Sequence, residues 1–180
     1  LQNMKTVQAY ILNISTNKNK EAPMKVFHEF PPVYDKKSKI LILGSIPSVT
    51  SREQGFYYMH PQNRFWKVLE SLFQESIKDK KAFCLEKGIA LWDVCASCDI
   101  KASSDSSIKN VVPNDLSVIL NPANITQIFT TGKKAHSLYQ KYLYPIYKKE
   151  DICLSSTSPA NAKNSLEDLV KEYHVILEYI

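Results

Sequence analysis

Four short apolar runs constrain this chain more than anything else in it: KILILG (39–44), IALWDV (89–94), ITQIFTTG (125–132) and DICLSST (151–157). The first is short, β-branched and bounded by turn chemistry, the pattern of a strand buried on both faces; the second reads as another buried strand, and the last two as a third and a fourth strand. Between them the apolar spacing becomes helical. Phe65, Val68, Leu69, Leu72 and Phe73 recur at i, i+3, i+4 intervals and predict a helix from Pro61 onward. Gly88 closes a second helical stretch, VVPNDLSVILNPAN predicts a helix started by Asn114 or Asp115, and KKAHSLYQKYL predicts another. SLEDLVKEYHVILEYI puts Leu166, Leu169, Val170, Tyr173, Leu177 and Ile180 on one helical face, with Ser165 as cap. Strands alternating with helices specify an α/β fold: a single three-layer α/β/α domain around a short central parallel sheet of about four strands. That domain spans 24–180. Residues 1–23 are read as an N-terminal extension outside it, and CDIKASSDSSIKN as loop.

A length of 180 residues suits one sizeable core rather than two. No apolar run reaches the roughly 18 residues of a membrane span. The first residues lack the succession of a secretory signal, so an intracellular, cytoplasmic protein is expected; a monomer is the separate expectation for its assembly. A net charge of +5 is compatible with a polyanionic partner, although the short lysine runs read first as solvated faces. Cys95 and Cys98 form a C-x-x-C, but no second pair or paired His follows to complete a zinc site. Buried reduced thiols are the reading, with no metal.

In sheets of this kind ligands bind beyond the carboxyl ends of strands. Two loops of unusual composition occupy that rim. GSIPSVTSREQGFYYMHPQNRFW follows the first run and offers backbone N–H groups and hydroxyls at Gly44, Ser45 and Ser48. No phosphate-binding glycine motif is present, so no nucleotide cofactor is expected. Phe56, Tyr57 and Tyr58 supply flat faces and Asn63 an amide, which suits an extruded nucleobase. Phe65 and Trp66 read as core. His60 is either a helix-start residue or an acid/base group, the first being favoured. The second loop, Ser155 to Asn161, sets short hydroxyls around Pro159, a composition that lets donors approach phosphates closely. Asp93 and Asp105 are the carboxylates nearest the rim, and neither is read as catalytic.

GSIPS, then GFYYMHPQNRFW, then STSPAN, in that order, resembles the uracil-DNA glycosylase superfamily, and most closely its hypoxanthine-DNA glycosylase branch. The resemblance runs from about Phe27 to the C-terminus and includes HEFPPVYDKKSKILILGS and ALWDV. It implies a monofunctional DNA glycosylase that flips a deaminated base, most simply hypoxanthine, and hydrolyses its N-glycosidic bond without a cofactor. Its partner would be DNA containing deaminated bases. Where the mismatch-specific relatives carry an Asn and the uracil-specific ones an Asp, this chain has Ile46, which can neither orient nor deprotonate water. The resemblance implies that Asn63 takes over catalysis. It also implies that Tyr58 stacks on the base, beside Gly44, Ser45, Ile46, Tyr57 and His60. Ser156, Thr157, Ser158 and Asn161, with Ser48 and Lys163, would hold the DNA, and Ala160 lies where relatives place an apolar wedge. A uracil- or mismatch-directed activity stays open, as does a catalytically silent lesion-binding module.

Overall fold

A computed structural model describes residues 22–101 and 104–180, so nearly all of the expected extension, residues 1–23, lies outside the described residues. The elements are β1 (Met24–Phe27), β2 (Ile40–Gly44), α1 (Val49–Gln54), α2 (Phe65–Phe73), α3 (Lys80–Glu86), β3 (Ile89–Asp93), β4 (Cys95–Ile100), β5 (Lys109–Pro113), α4 (Ser117–Leu120), β6 (Gln127–Thr131), α5 (Lys133–Tyr142), α6 (Tyr144–Tyr147), β7 (Asp151–Leu154) and α7 (Leu166–Tyr173).

The four apolar runs form one parallel sheet in the order β3-β2-β6-β7. Every residue of β2 and β3 is buried, which is why their sequences run apolar without alternation. Ile42 lies between Leu91 and Phe129 across the ladder, and all three are fully buried. Helices cover the sheet: α5 packs on β6 and β7, α3 on β3, and α2 against α7. The result is the three-layer α/β/α architecture. Among the described residues no helix is long and apolar enough to cross a membrane.

A second, antiparallel sheet, β1-β4-β5, departs from the sequence reading. CDIKASSDSSIKN, expected as loop, supplies the end of β4 and the start of β5. The inward positions of β4 are Cys95, Ser97, Cys98 and Ile100, so small polar residues stand where a hydrophobic period would have advertised the strand. Its register also shifts on either side of Ser97. β4 continues directly from β3, and its first amide donates to Ser45 O at 3.0 Å, so the small sheet is joined to the end of β2. Cys84, Cys95 and Cys98 are buried free thiols, and Cys153 is exposed.

Three further boundaries differ. Helix α2 starts at Phe65, not at Pro61, because the His60–Asn63 segment closes as a turn with Asn63 N donating to His60 O at 2.8 Å. Helix α4 is a single turn; Asp115 accepts from Ser117 N at its start, while Asn114 turns inward and donates to Asp93 O. The last helix gives way after Tyr173 to a 3-10 segment, His174–Glu178. Its start is as expected: Ser165 and Asp168 form a reciprocal capping box.

Candidate active site

Strand β2 is followed in space by β3 on one side and by β6 on the other, which leaves a topological switch point beyond the carboxyl end of β2. A cavity of about 330 Å³ opens there. It is small by the standard of ligand pockets, roughly 300–1,000 Å³. Gly44, Asp93 and Thr131, the last residues of three strands, form its floor together with Ser45 to Ser48. Tyr57, Tyr58, His60 and Asn63 come from the first loop and Ser156 to Ala160 from the second. Ile100 and Asp105 arrive from the antiparallel sheet. The two rim loops, far apart in sequence, therefore share one cleft.

Arg64 joins them. Its guanidinium donates to the carbonyls of Ser158 (3.2 Å), Asn161 (2.7 Å) and Asn164, and its backbone N–H donates to Thr157 O at 3.0 Å. The planar fork suits several acceptors arrayed on one side. In the sequence this residue looks like an ordinary charge on a helix start, and nothing local reveals its role. The second loop is further tied down by Tyr173, whose hydroxyl donates to Ser155 O at 2.9 Å. Gly132, at a φ of 94°, passes so close that a Cβ there would lie 3.1 Å from Ser156 Cβ.

Asn63 stands two residues before the first residue of α2, and its Oδ1 accepts from Phe65 N at 3.0 Å, which fixes the side chain at the cavity wall. The amide nitrogen has no protein partner among the described residues. Tyr58 holds a left-handed backbone, φ 55°, unusual for a residue with a bulky side chain. Its ring stacks on Phe65 with centroids 3.8 Å apart and planes 17° off parallel, and its hydroxyl pairs with Thr131 Oγ1 at 3.1 Å. Burial, then the charge of Asp93, raises its phenol well above the ordinary range. Tyr57 presents little free face: only 2% exposed, it packs against His28, Phe30 and Phe56 and donates to Pro31 O at 3.0 Å. Phe65 and Trp66 are buried in the core.

In the second loop Thr157 is buried, while Ser156 Oγ accepts from Ser158 N and Ser158 Oγ from Ala160 N. Both serine hydroxyls thus keep their own proton available for an outside acceptor. Asn161 turns its amide back onto Ser156 O at 2.8 Å, and neither it nor the exposed Lys163 lines the cavity. Ser48 lines the mouth and caps α1 by accepting from Ser51 N. His60 sits on the wall with Nδ1 accepting from Gln62 N at 3.2 Å.

Two carboxyl groups line the same cavity. Asp93 is 4% exposed and Oδ2 accepts from His28 Nε2 at 2.8 Å, the imidazole being buried as well. Its Oδ1 lies against Gly44, where an added Cβ would come within 2.3 Å, so only glycine fits at the end of β2. Asp105 is exposed as a residue, and it is the carboxyl end that is set into the cavity wall. Ser45 Oγ donates to its Oδ1 at 2.9 Å. The His28–Asp93 pair spans 65 positions and the Ser45–Asp105 pair 60, so no local motif could announce either. The position of Asp93 at the end of an apolar run was the one available hint. Among the described residues no cluster of His, Cys, Asp and Glu could hold a metal ion.

The sequence profile of the uracil DNA glycosylase superfamily matches residues 31–178. A hypoxanthine DNA glycosylase of Methanosarcina barkeri is 34% identical over 141 residues, 75% of this chain and 88% of that one. A hypoxanthine DNA glycosylase of Methanosarcina acetivorans is 39% identical over 142 residues, 76% of this chain and 89% of that one. The fold is similar to a solution NMR structure of a candidate uracil DNA glycosylase from Methanosarcina acetivorans, with a TM-score of 0.67 and 28% identity, covering 86% of this chain and 99% of that chain.

Proposed function

The chain belongs to the uracil DNA glycosylase superfamily, and from that premise we propose that it is a DNA glycosylase that excises hypoxanthine from deoxyinosine, leaving an abasic site. The observation that carries this reading is the convergence of both rim loops on one small cavity that offers a fixed amide, a stacked tyrosine and a buried carboxylate. Such a slot suits a planar heterocycle swung out of its duplex.

Each part has a physical task. Tyr58, backed by Phe65, gives the base a rigid face. Asp93, held by His28, is an acceptor for the N1–H of hypoxanthine. Adenine has a bare N1 there and would leave the second carboxylate oxygen without a partner, a loss of about 1–3 kcal/mol. Departure of the base builds positive charge on the sugar and negative charge on the ring. Groups fixed beforehand at the sites of that charge lower the barrier without reorganising. Asn63, anchored through Oδ1, positions the attacking water with its amide nitrogen; an amide does not titrate near neutrality and is no strong base. Ile46 leaves the usual water-activating position apolar. The hydroxyls of Ser156 and Ser158 grip the phosphates beside the lesion, with Ser48 and Lys163 at the margin.

The test is base release from single-lesion duplexes containing hypoxanthine, uracil, xanthine or a thymine mismatch, read as alkali-labile strand breaks. Hypoxanthine should be released fastest, and Asn63→Ala should abolish release while binding persists. Faster release of uracil would move the assignment to a uracil-directed enzyme. Binding without any release would make the protein a lesion reader.

A further inference from the structure

Asp105 has no part in the mechanism just described, yet it stands in the wall of the same cavity. It enters from a third direction, on the turn between β4 and β5. Its Oδ1 is oriented by Ser45 Oγ, while Oδ2 has no protein partner among the described residues. A bare carboxylate is a poor choice for that wall. The strand entering the cleft carries a phosphate on each side of the lesion, and Asp93 already supplies one buried carboxylate whose partner is His28. Two carboxyl groups lining one small cavity resist ionising together. An acid that arrives with its proton removes the conflict and serves the chemistry.

We propose that Asp105 is the general acid of the reaction, delivering a proton to N7 of the flipped hypoxanthine. The inference rests on the hypoxanthine reading. As the C1′–N9 bond breaks, its electron pair passes to the ring, N7 takes the carboxyl proton, and the base leaves neutral. Water held by Asn63 adds its oxygen to C1′ and returns one proton, directly or through solvent, to the Asp105 carboxylate. The sum is nucleoside plus water giving sugar plus free base, with no other reactant. Asn63 cannot supply this proton and Ile46 has none to give. A purine has a basic N7 that a pyrimidine lacks, so the device is specific to purine release.

The surroundings agree with the assignment. Burial raises the Asp105 carboxyl above the ordinary carboxylate range; the Ser45 hydrogen bond and Lys134 on α5 oppose the rise, and Asp93 adds to it. Cys95 and Cys98 on β4 are the other titratable neighbours, and His60 is a rival proton donor on the cavity wall.

Single-turnover release of hypoxanthine from a deoxyinosine duplex, between about pH 5 and pH 9, tests the proposal. The parent rate should fall as pH rises through the elevated pKa of Asp105. Asp105→Asn should lower the rate about 100-fold at the acidic end and flatten the profile, without weakening binding to the lesion duplex. Asp105→Glu should restore part of both rate and slope. On a 7-deaza-deoxyinosine duplex, which has no N7 to protonate, parent and Asp105→Asn should be equally slow; a 3-deaza analogue should still separate them. An Asp105→Asn rate within about twofold of the parent, an equal loss on the 7-deaza substrate, or a profile flattened by His60→Gln instead would overturn it. Failure of the parent itself to release hypoxanthine would sink the functional reading, a result distinct from any of these.

Discussion

Removing the Arg64 side chain tests whether the two rim loops are held together by one cation. Arg64→Ala deletes donors to three carbonyls, Ser158, Asn161 and Asn164, and leaves the backbone bond to Thr157 in place. Hydrogen bonds from a charged donor are worth about 1.5–3 kcal/mol each, so the simple sum reaches roughly 5–9 kcal/mol. That sum is too large. Arg64 and its acceptor residues are only half-buried, so water replaces part of what is lost, and three bonds from one side chain are not independent. A net loss of about 2–3 kcal/mol is expected. If it falls on loop docking alone, the undocked population rises by roughly 30- to 150-fold, since 1.4 kcal/mol is a factor of ten. Urea denaturation and single-turnover base release measure the two consequences separately. The expected result is a lower midpoint with an unchanged slope, and a fall of about tenfold or more in the single-turnover rate of release. Arg64→Lys, which keeps the charge but not the fork, should lie between. Stability within about 0.5 kcal/mol of the parent together with unimpaired release would refute the clamp.

Gly44→Ala forces a methyl group to within 2.3 Å of Asp93 Oδ1; overpacking of this kind costs about 1–3 kcal/mol, and release should fall far more than the melting temperature because the displaced group faces the base. Ser165→Ala removes the cap of α7 and should cost about 1 kcal/mol in chemical denaturation while leaving base release unchanged. Leu41→Ala, in a fully buried position of β2, should cost about 2–5 kcal/mol by the same measure. The raised pKa of Asp105 also has a stability consequence. The folded state binds a proton more tightly than the unfolded chain, so stability from this group is present below the unfolded carboxyl pKa and lost as pH rises through the folded one. Asp105→Asn should therefore raise the melting temperature at neutral pH and lose that advantage in acid.

The parallel sheet was legible because β2 and β3 are buried on both faces, and burial of that kind writes a continuous apolar run into the chain. The cap of α7 was legible for a comparable reason: a capping box is a contact across three residues. The antiparallel sheet was hidden because β4 buries Cys and Ser, and its partners lie in segments with no hydrophobic period. Asn63, Tyr58 and the serines of the second loop could be singled out from composition beside the ends of apolar runs. Which faces they present could not. Tyr57 and Tyr58 are adjacent and chemically alike, yet one ring is enclosed among His28, Phe30 and Phe56 while the other stacks on Phe65 at the cavity edge.

By itself, then, the order of residues determined the elements whose stabilising contacts are local or repeat with a short period: the four parallel strands, their intervening helices and the two loops at the rim. Only the folded chain decided the pairings that give the cavity its chemistry, His28 with Asp93, Ser45 with Asp105 and Arg64 with the second loop. Their partners are separated by 60 to 97 positions, and a single hydrogen bond between such distant groups imposes no periodicity on either neighbourhood.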